Sequence, residues 1–80
     1  MRDEILRLFG ERLRQLRTER NLSQEQLAER ASLDRNYIGQ IERAERNVAL
    51  VNIVRIAKAL EVEPGELFVP FSSARLAKLR

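Results

Sequence analysis

The segment from residue 22 to residue 47 constrains the fold more strongly than any other part of the chain. Its apolar residues recur at the steps expected of helices that bury one face. They are Leu27, Ala28, Ala31, Leu33, Ile38 and Ile41. The first three share one face of a short helix, the last two share one face of a second helix, and Leu33 falls at the corner between them. Because Ala28 is also small where the helices would cross, the spacing predicts two short helices packed at a sharp corner.

The helix ends in this segment agree with that interpretation. Ser23 and Gln26 form a Ser-x-x-Gln capping box at the start of the first helix. Asp34 is a good N-cap for the second helix, which puts Arg35 and Asn36 in its first turn. The segment therefore predicts a helix-turn-helix motif whose second helix presents its first turn to solvent.

The N-terminal residues predict another helix, from about Asp3 to Arg20, that packs beside this motif. Its inner stripe consists of Ile5, Leu6, Phe9, Leu13 and Leu16. Asn21 can end it, because asparagine tolerates the left-handed conformation. Gly10 interrupts it at a cost of about 1 kcal/mol relative to alanine. A close approach by another helix would explain this glycine.

A fourth helix is predicted from about Ala49 to Leu60. Its inward-facing residues would be Leu50, Ile53, Ile56, Ala57 and Leu60. The start of this helix lacks a clear capping residue, and Asn47 is the best candidate.

The C-terminal part predicts one short helix and a tail. Pro64 fits the first position of a fifth helix. Residues 70–80 form the predicted tail, in which Ser72 or Ser73 could cap a last helical turn. Because no segment alternates as a strand would, residues 1–80 are predicted to form a single all-α domain of five helices.

Composition excludes several classes of function. The chain has no cysteine and no histidine, so we expect no disulfide, no zinc site and no histidine-based catalysis. We expect no cofactor, metal or small-molecule ligand, and no enzymatic activity. No apolar run approaches the roughly 18 residues of a membrane span, and the N-terminus is too charged for a signal peptide. These features predict a soluble, cytoplasmic protein.

Charge alone is weak evidence for a nucleic-acid partner. The net charge is +3, from 15 basic and 12 acidic residues that are interleaved along the chain. Thirteen of the basic residues are arginine, which reflects either a GC-rich coding sequence or a need for phosphate and guanine recognition. Only the positions of the arginines can separate these two interpretations.

The polar side of the second motif helix carries residue types that bind DNA. The candidate DNA-contacting residues are Gln24, Arg35, Asn36, Tyr37, Gln40, Arg43, Arg46 and Asn47. An arginine in the first turn of a recognition helix can fork onto guanine O6 and N7. Because the helix dipole disfavours a cation there, Arg35 favours a DNA contact over a solvated side chain or a pair with Asp34.

The other candidates have simpler alternatives. Tyr37 has no predicted core role, and an exposed tyrosine could stack on a sugar or hydrogen-bond a phosphate. Gln24 begins the first motif helix, where its side chain and the free amides could hold a phosphate. Arg43, Arg46 and Asn47 frame the loop that follows, where phosphate contacts compete with ordinary solvation.

Residues 22–43 and 48–68 resemble the lambda-repressor-like, five-helix DNA-binding domains of phage repressors and small bacterial regulators. The shared pattern is Arg17, Leu22-Ser23-Gln24, Leu27-Ala28, Ile38 and Ile41-Glu42-Arg43. A narrower resemblance, to the controller proteins of restriction–modification systems, rests on Leu33-Asp34-Arg35, Tyr37-Ile38, Ile41-Glu42-Arg43 and Arg46-Asn47. Those proteins are free-standing domains of about this length that dimerise and regulate their own operon. The resemblance implies the five-helix fold, with the helix-turn-helix at residues 24–43.

The resemblance also implies an ion pair and draws attention to two departures. A carboxylate at Glu42 would face the negative end of its helix and repel phosphate, so we expect it to point inward, and the resemblance gives Arg17 as its partner. Ser32 stands where glycine is usual, and costs roughly 1 kcal/mol if its φ must be positive. Val48 and Ala49 stand where proline and a hydroxyl residue are frequent, which weakens the start of the fourth helix.

Several apolar residues exceed what a small core can bury. Val51, Val54, Phe68, Val69 and Phe71 either pack on their own domain or form a twofold interface. We favour the interface and expect a homodimer.

Together these features predict a sequence-specific transcriptional regulator that acts as a dimer on a pseudo-palindromic operator. Its expected partners are double-stranded DNA, a second copy of the chain and, as a further candidate, RNA polymerase. The alternative is an antitoxin or adaptor module whose helical scaffold binds a protein. In that case the polar face of the third helix would be dispensable.

Overall fold

This computed structural model describes residues 1–79 of the chain. They form five α-helices and one short 3₁₀ helix, joined by turns and loops. The helices are α1 (Arg2–Glu19), α2 (Gln24–Ala31), α3 (Arg35–Glu42), α4 (Leu50–Leu60), the 3₁₀ helix (Pro64–Phe68) and α5 (Ser73–Leu76). Residues 1–79 contain no strand, so the predicted all-α fold and the helix-turn-helix formed by α2 and α3 are confirmed. Within the same residues, no helix has both the length and the apolar character needed to cross a membrane.

Side-chain caps fix the starts of both motif helices. Ser23 Oγ accepts a hydrogen bond from the Gln26 amide at 3.0 Å, and Gln26 Oε1 accepts one from the Ser23 amide at 2.8 Å. Asp34 Oδ1 accepts from the Asn36 amide at 2.7 Å. These bonds satisfy amides that the helix itself leaves free. The caps predicted for α2 and α3 are therefore confirmed.

The start of α4 differs from the prediction. Its N-cap is Ala49, which offers no side-chain hydrogen bond. Asn47 is exposed and lies two residues before the cap position. It does not cap the helix because α4 begins at Leu50 and its N-cap position is taken by Ala49.

One residue in the left-handed conformation follows the end of each of the four longer helices. These residues are Asn21, Ser32, Ala44 and Glu61, with φ between 56° and 62°. The amide that follows each of them bonds to a carbonyl five residues earlier, as from Leu33 to Ala28 at 2.8 Å. This is the Schellman arrangement, in which glycine is the usual left-handed residue. The positive φ considered for Ser32 is present, and it carries a steric cost that glycine would avoid.

The core lies where α1, α2, α3, α4 and the 3₁₀ helix meet. Its largest fully buried side chains are Leu13, Leu27, Ile38, Ile41, Ile56, Leu60 and Leu67. A Cβ on Gly10 would lie 2.4 Å from the carbonyl oxygen of Ile41 and 2.9 Å from that of Glu42. The backbone of α3 therefore rests directly on α1, and the close approach predicted at Gly10 is confirmed.

The predicted inner stripe of α4 is wrong at its first residue. Leu50 is 73% exposed, whereas Ile56, Ala57, Ala59 and Leu60 are buried. Full burial is confined to the second half of α4, and Ile53 is partly buried against the core. Leu50 therefore adds to the exposed apolar surface.

Three arginines, two in α1 and Arg20 directly after it, bind atoms of other elements. Arg12 Nε donates to the carbonyl of Glu66 at 2.7 Å, and Arg20 Nε donates to that of Leu60 at 2.8 Å. Each bond satisfies a carbonyl near the end of a helix, where the backbone lacks an internal partner. These arginines hold α1 to the C-terminal half of the fold.

The third of these arginines, Arg17, forms a bidentate ion pair with Glu42 at the end of α3. The distances are 2.6 Å from Nε to Oε2 and 2.9 Å from Nη2 to Oε1. Nη1 donates to the carbonyl of Leu22 at 2.8 Å. The side chains are only 11% and 4% exposed, and the bond to Glu42 raises the pKa of Arg17. The pair thus joins α1 to α3 away from solvent.

Replacement of Arg17 by alanine should destabilise the fold by about 3 kcal/mol, because it leaves the buried Glu42 carboxylate without its charged partner. Arg7 gives a matched control in the same helix, since its pair with Glu11 is more than half exposed. Arg7→Ala should cost less than about 1 kcal/mol. Urea unfolding followed by circular dichroism measures both variants. Equal losses of stability would show that burial does not determine the strength of the Arg17 pair.

Replacement of Ser32 by glycine should raise the free energy of unfolding by up to about 1 kcal/mol, because glycine adopts positive φ without strain. Ala44→Gly should act in the same direction for the same reason. Ala77 is the control, since it is an exposed alanine with φ of −63°, and Ala77→Gly should give no gain. The measurement is the denaturant concentration at the unfolding midpoint, which should shift while the dependence of the unfolding free energy on denaturant concentration stays unchanged. A destabilised Ser32→Gly variant would contradict the assigned cost.

Candidate nucleic-acid interface

The third helix has one face in the core and the opposite face on the surface. Ile38 and Ile41 are at most 1% exposed. Arg35 and Asn36 occupy the first turn and are exposed. Because Asp34 caps this turn, the backbone beneath the two side chains is fixed. The structure therefore presents Arg35 and Asn36 where the sequence predicted them.

Arg35 lies beside the first turn of α2. Its Nη1 is 3.3 Å from Glu25 Oε2, and both side chains are more than 60% exposed. A pair this exposed contributes little, typically about 0–1 kcal/mol. The guanidinium can therefore exchange this carboxylate for another acceptor at small cost.

Gln24, the first residue of α2, has a partner within the protein. Its Nε2 donates to Glu42 Oε1 at 3.0 Å, the carboxylate that also binds Arg17. An ionised carboxylate only accepts hydrogen bonds, so the amide nitrogen faces Glu42 and the amide oxygen faces away from it. The Gln24 side chain is thus oriented by the buried ion pair.

Tyr37 is not exposed as predicted. It is half-buried against the core, and its hydroxyl accepts a hydrogen bond from Asn52 Nδ2 of α4 at 3.1 Å. The sequence of α3 could not predict this, because the partner comes from another helix. The ring also supports Arg46, whose guanidinium carbon lies 5.4 Å from the ring centroid, a distance at which a cation is attracted to an aromatic face.

The remaining candidates lie at the end of α3 and in the loop after it. Arg46 Nε donates to Gln40 Oε1 at 3.0 Å. Arg43 Nε and Nη2 donate to the two carboxylate oxygens of Glu45 at 3.0 and 3.2 Å. These bonds raise the pKa of Arg43 and lower that of Glu45. Asn47 is exposed in the same loop. The loop therefore presents two arginines, each held by an acceptor of its own chain.

Sequence reasoning missed two residues of this surface. Glu25 gave no signal, because its contact with Arg35 depends on how α2 and α3 cross. Asn52 did carry a signal, since it is the one amide in the apolar run Leu50–Val54. A lone polar residue in such a run usually has a hydrogen-bond partner when it is not exposed.

The residues predicted to form a twofold interface are divided between surface and core. Val51, Val54, Phe68 and Val69 are between 42% and 63% exposed. Phe71 is half-buried and packs against the core, with its ring centroid 6.2 Å from that of Phe68. An apolar groove of about 280 Å³ lies beside these rings, between α1, α4 and the tail. The tail is described to Leu79 and contains α5, capped by Ser72; Arg80 lies outside the described residues.

The arrangement matches that of known regulatory proteins. Residues 13–67 match the helix-turn-helix family. The control protein C.BamHI of Bacillus amyloliquefaciens is 50% identical over 68 residues, which are 84% of each chain. The crystal structure of the restriction–modification controller protein C.AhdI from Aeromonas hydrophila superposes with a TM-score of 0.80 at 57% identity, covering 81% of this chain and 98% of that one.

A third similarity includes bound DNA. The controller protein C.Esp1396I, solved as a tetramer in complex with its natural 35 base-pair operator, gives a TM-score of 0.73 at 36% identity. The match covers 79% of this chain and 83% of that one. With the family match over residues 13–67 and relatives at these identities, the chain belongs to the helix-turn-helix family of transcriptional regulators and is a homologue of the restriction–modification control proteins.

Proposed function

We propose that this chain is a controller of a restriction–modification operon, which it regulates as a homodimer bound to a pseudo-palindromic operator. One α3 of each subunit enters a major groove. The observation that carries the proposal is the first turn of α3, which is capped, fixed on the core and exposes Arg35 and Asn36. The cytoplasm, where the operator lies, is the compartment that we propose.

The proposed contacts divide into base and backbone contacts. Arg35 reads guanine through its two donors, and Asn36 pairs with a neighbouring base or phosphate. Arg43, Arg46 and Asn47 bind phosphates and set the register on the duplex. Support comes from the exposure of these three side chains. The acceptors Glu45 and Gln40 hold the two arginines only through exposed hydrogen bonds, which are weak.

The remaining candidates contribute in other ways. Gln40 reaches DNA together with Arg46, to which it is bonded. Tyr37 supports Arg46 and offers its exposed edge to the backbone. Gln24 contributes through the free amides at the start of α2, because its side-chain nitrogen already binds Glu42. RNA polymerase is the further partner that we propose, since a dimer bound beside a promoter would lie next to it.

Selection of duplexes from a random-sequence pool tests this function directly. The purified chain should enrich a sequence with two inverted half-sites, spaced about one helical turn, or 34 Å, from centre to centre. The C.Esp1396I complex, with its tetramer on a natural operator, supports this expectation. A chain that enriches no sequence would favour an adaptor role and contradict the proposal.

Arg35→Ala should weaken binding to the selected duplex by about 1–3 kcal/mol per half-site and relax the base preference there. Arg14→Ala is the control, because Arg14 is an exposed arginine of α1, outside the helix-turn-helix motif. It should leave base preference unchanged. Fluorescence anisotropy at fixed salt measures both affinities. If Arg35→Ala retains the parent's affinity and preference, α3 is not the reading helix.

Val54→Asp should convert the dimer to monomers with unchanged helicity and much weaker operator binding, because one module alone buries too little surface for operator-level affinity. Val54 is the best probe, since it is half-exposed on α4 and its change leaves the core intact. Thr18→Asp adds the same charge at an exposed position of α1 and should remain dimeric. Analytical ultracentrifugation measures the oligomeric state of the parent chain and of both variants. A parent chain that is monomeric at about 10–100 µM, well above ordinary operator affinities, would disprove the dimer.

A further inference from the structure

Gly39 occupies the middle of α3, where a glycine needs an explanation. After proline, glycine is the residue least favourable to a helix interior. The backbone conformation does not require it, because no glycine among the described residues has positive φ. The helix therefore gives up stability at this position for some other reason.

The interior of the fold does not supply that reason. A Cβ on Gly39 would meet Arg43 Nη1 at 3.0 Å, Gln24 Oε1 at 3.3 Å and Arg43 Cζ at 3.8 Å. All three atoms belong to ends of flexible side chains. At Gly10, by contrast, the Cβ would collide with backbone oxygens of α3. The fold thus requires glycine at position 10 and leaves room to adjust at position 39.

The two side chains next to Gly39 belong to the candidate interface and have unused hydrogen-bonding atoms there. Arg43 binds Glu45 through Nε and Nη2, and its Nη1 is the nitrogen closest to Gly39. The Gln24 nitrogen binds Glu42, so its oxygen is the atom turned towards Gly39. Gly39 is itself buried, so these two side chains cover the space that its missing Cβ leaves, and the Arg43 guanidinium lies directly over the α3 backbone beside the start of α2.

We propose that Gly39 is a binding determinant, whose missing side chain lets the Arg43 guanidinium lie against α3, in the position from which it binds the sugar–phosphate backbone of the bound DNA. The inference rests on the proposed function and adds to it a steric requirement. A methyl group at this position would push the Arg43 guanidinium away from α3. Phosphate is the matching chemistry, because the guanidinium is a cation beside the positive end of α2, whereas the Gln24 oxygen only accepts hydrogen bonds. Since the phosphate backbone is the same at every sequence, the loss of affinity on displacing Arg43 should not depend on sequence.

The test compares Gly39→Ala with Gly65→Ala, a change at an exposed glycine whose Cβ would meet nothing within 4 Å. Two labelled duplexes are used, one selected from a random pool by the parent chain and one of scrambled sequence. Gly39→Ala should bind both duplexes about five- to tenfold more weakly, with a salt slope reduced by about 1 per lost phosphate contact. Its melting temperature should equal or exceed that of the parent. Gly65→Ala should bind as the parent does.

Three outcomes would overturn this inference alone, while the parent still selects a duplex. The first is parental affinity in Gly39→Ala, and the second is a lower melting temperature, which would show that the fold itself needs the glycine. The third is a loss of affinity confined to the selected duplex, which would assign Arg43 to a base edge. A parent chain that selects no duplex would instead overturn the proposed function and this inference with it.

Discussion

The buried carboxylate of Glu42 is the contact on which the arrangement of the surface depends. It accepts hydrogen bonds from Arg17 of α1 and from Gln24 of α2, while belonging to the last turn of α3. Removing a charge from water costs several kcal/mol unless its lone pairs are filled, and here three donors fill them. Since Gly10 also lets the α3 backbone rest on α1, Glu42 fixes the end of α3 and the start of α2 relative to the core.

Five arginines of the chain divide into two groups that composition could not separate. Arg12, Arg17 and Arg20 bind carbonyls or the buried carboxylate and hold elements together. Arg35 and Arg43 are on the surface, each paired with an exposed carboxylate. Surface pairs contribute little because water and salt screen them. The second group can therefore exchange its partners for other acceptors at little cost to the stability of the fold.

Gly10 stands where space matters, whereas the helix ends whose backbone conformation would favour glycine carry other residues. The four left-handed helix ends are occupied by asparagine, serine, alanine and glutamate. Gly10, in contrast, lies at the contact of two helices. A left-handed serine or alanine costs a modest steric strain, whereas a Cβ at position 10 would separate α1 from α3. A contact between helices therefore constrains residue choice more than a turn does.

Local sequence determined the helices of this protein and most of their ends. Apolar spacing placed α1 to α4, and the side chains of Ser23 and Asp34 fixed the starts of the motif helices, because capping depends on residues within one turn. Tertiary structure decided what depends on elements distant in sequence: the exposure of Leu50, the hydrogen bond from Asn52 to the half-buried Tyr37 and the orientation of Gln24 by Glu42. Spacing along one helix reports which residues share a face, but the other helices decide which part of that face is covered.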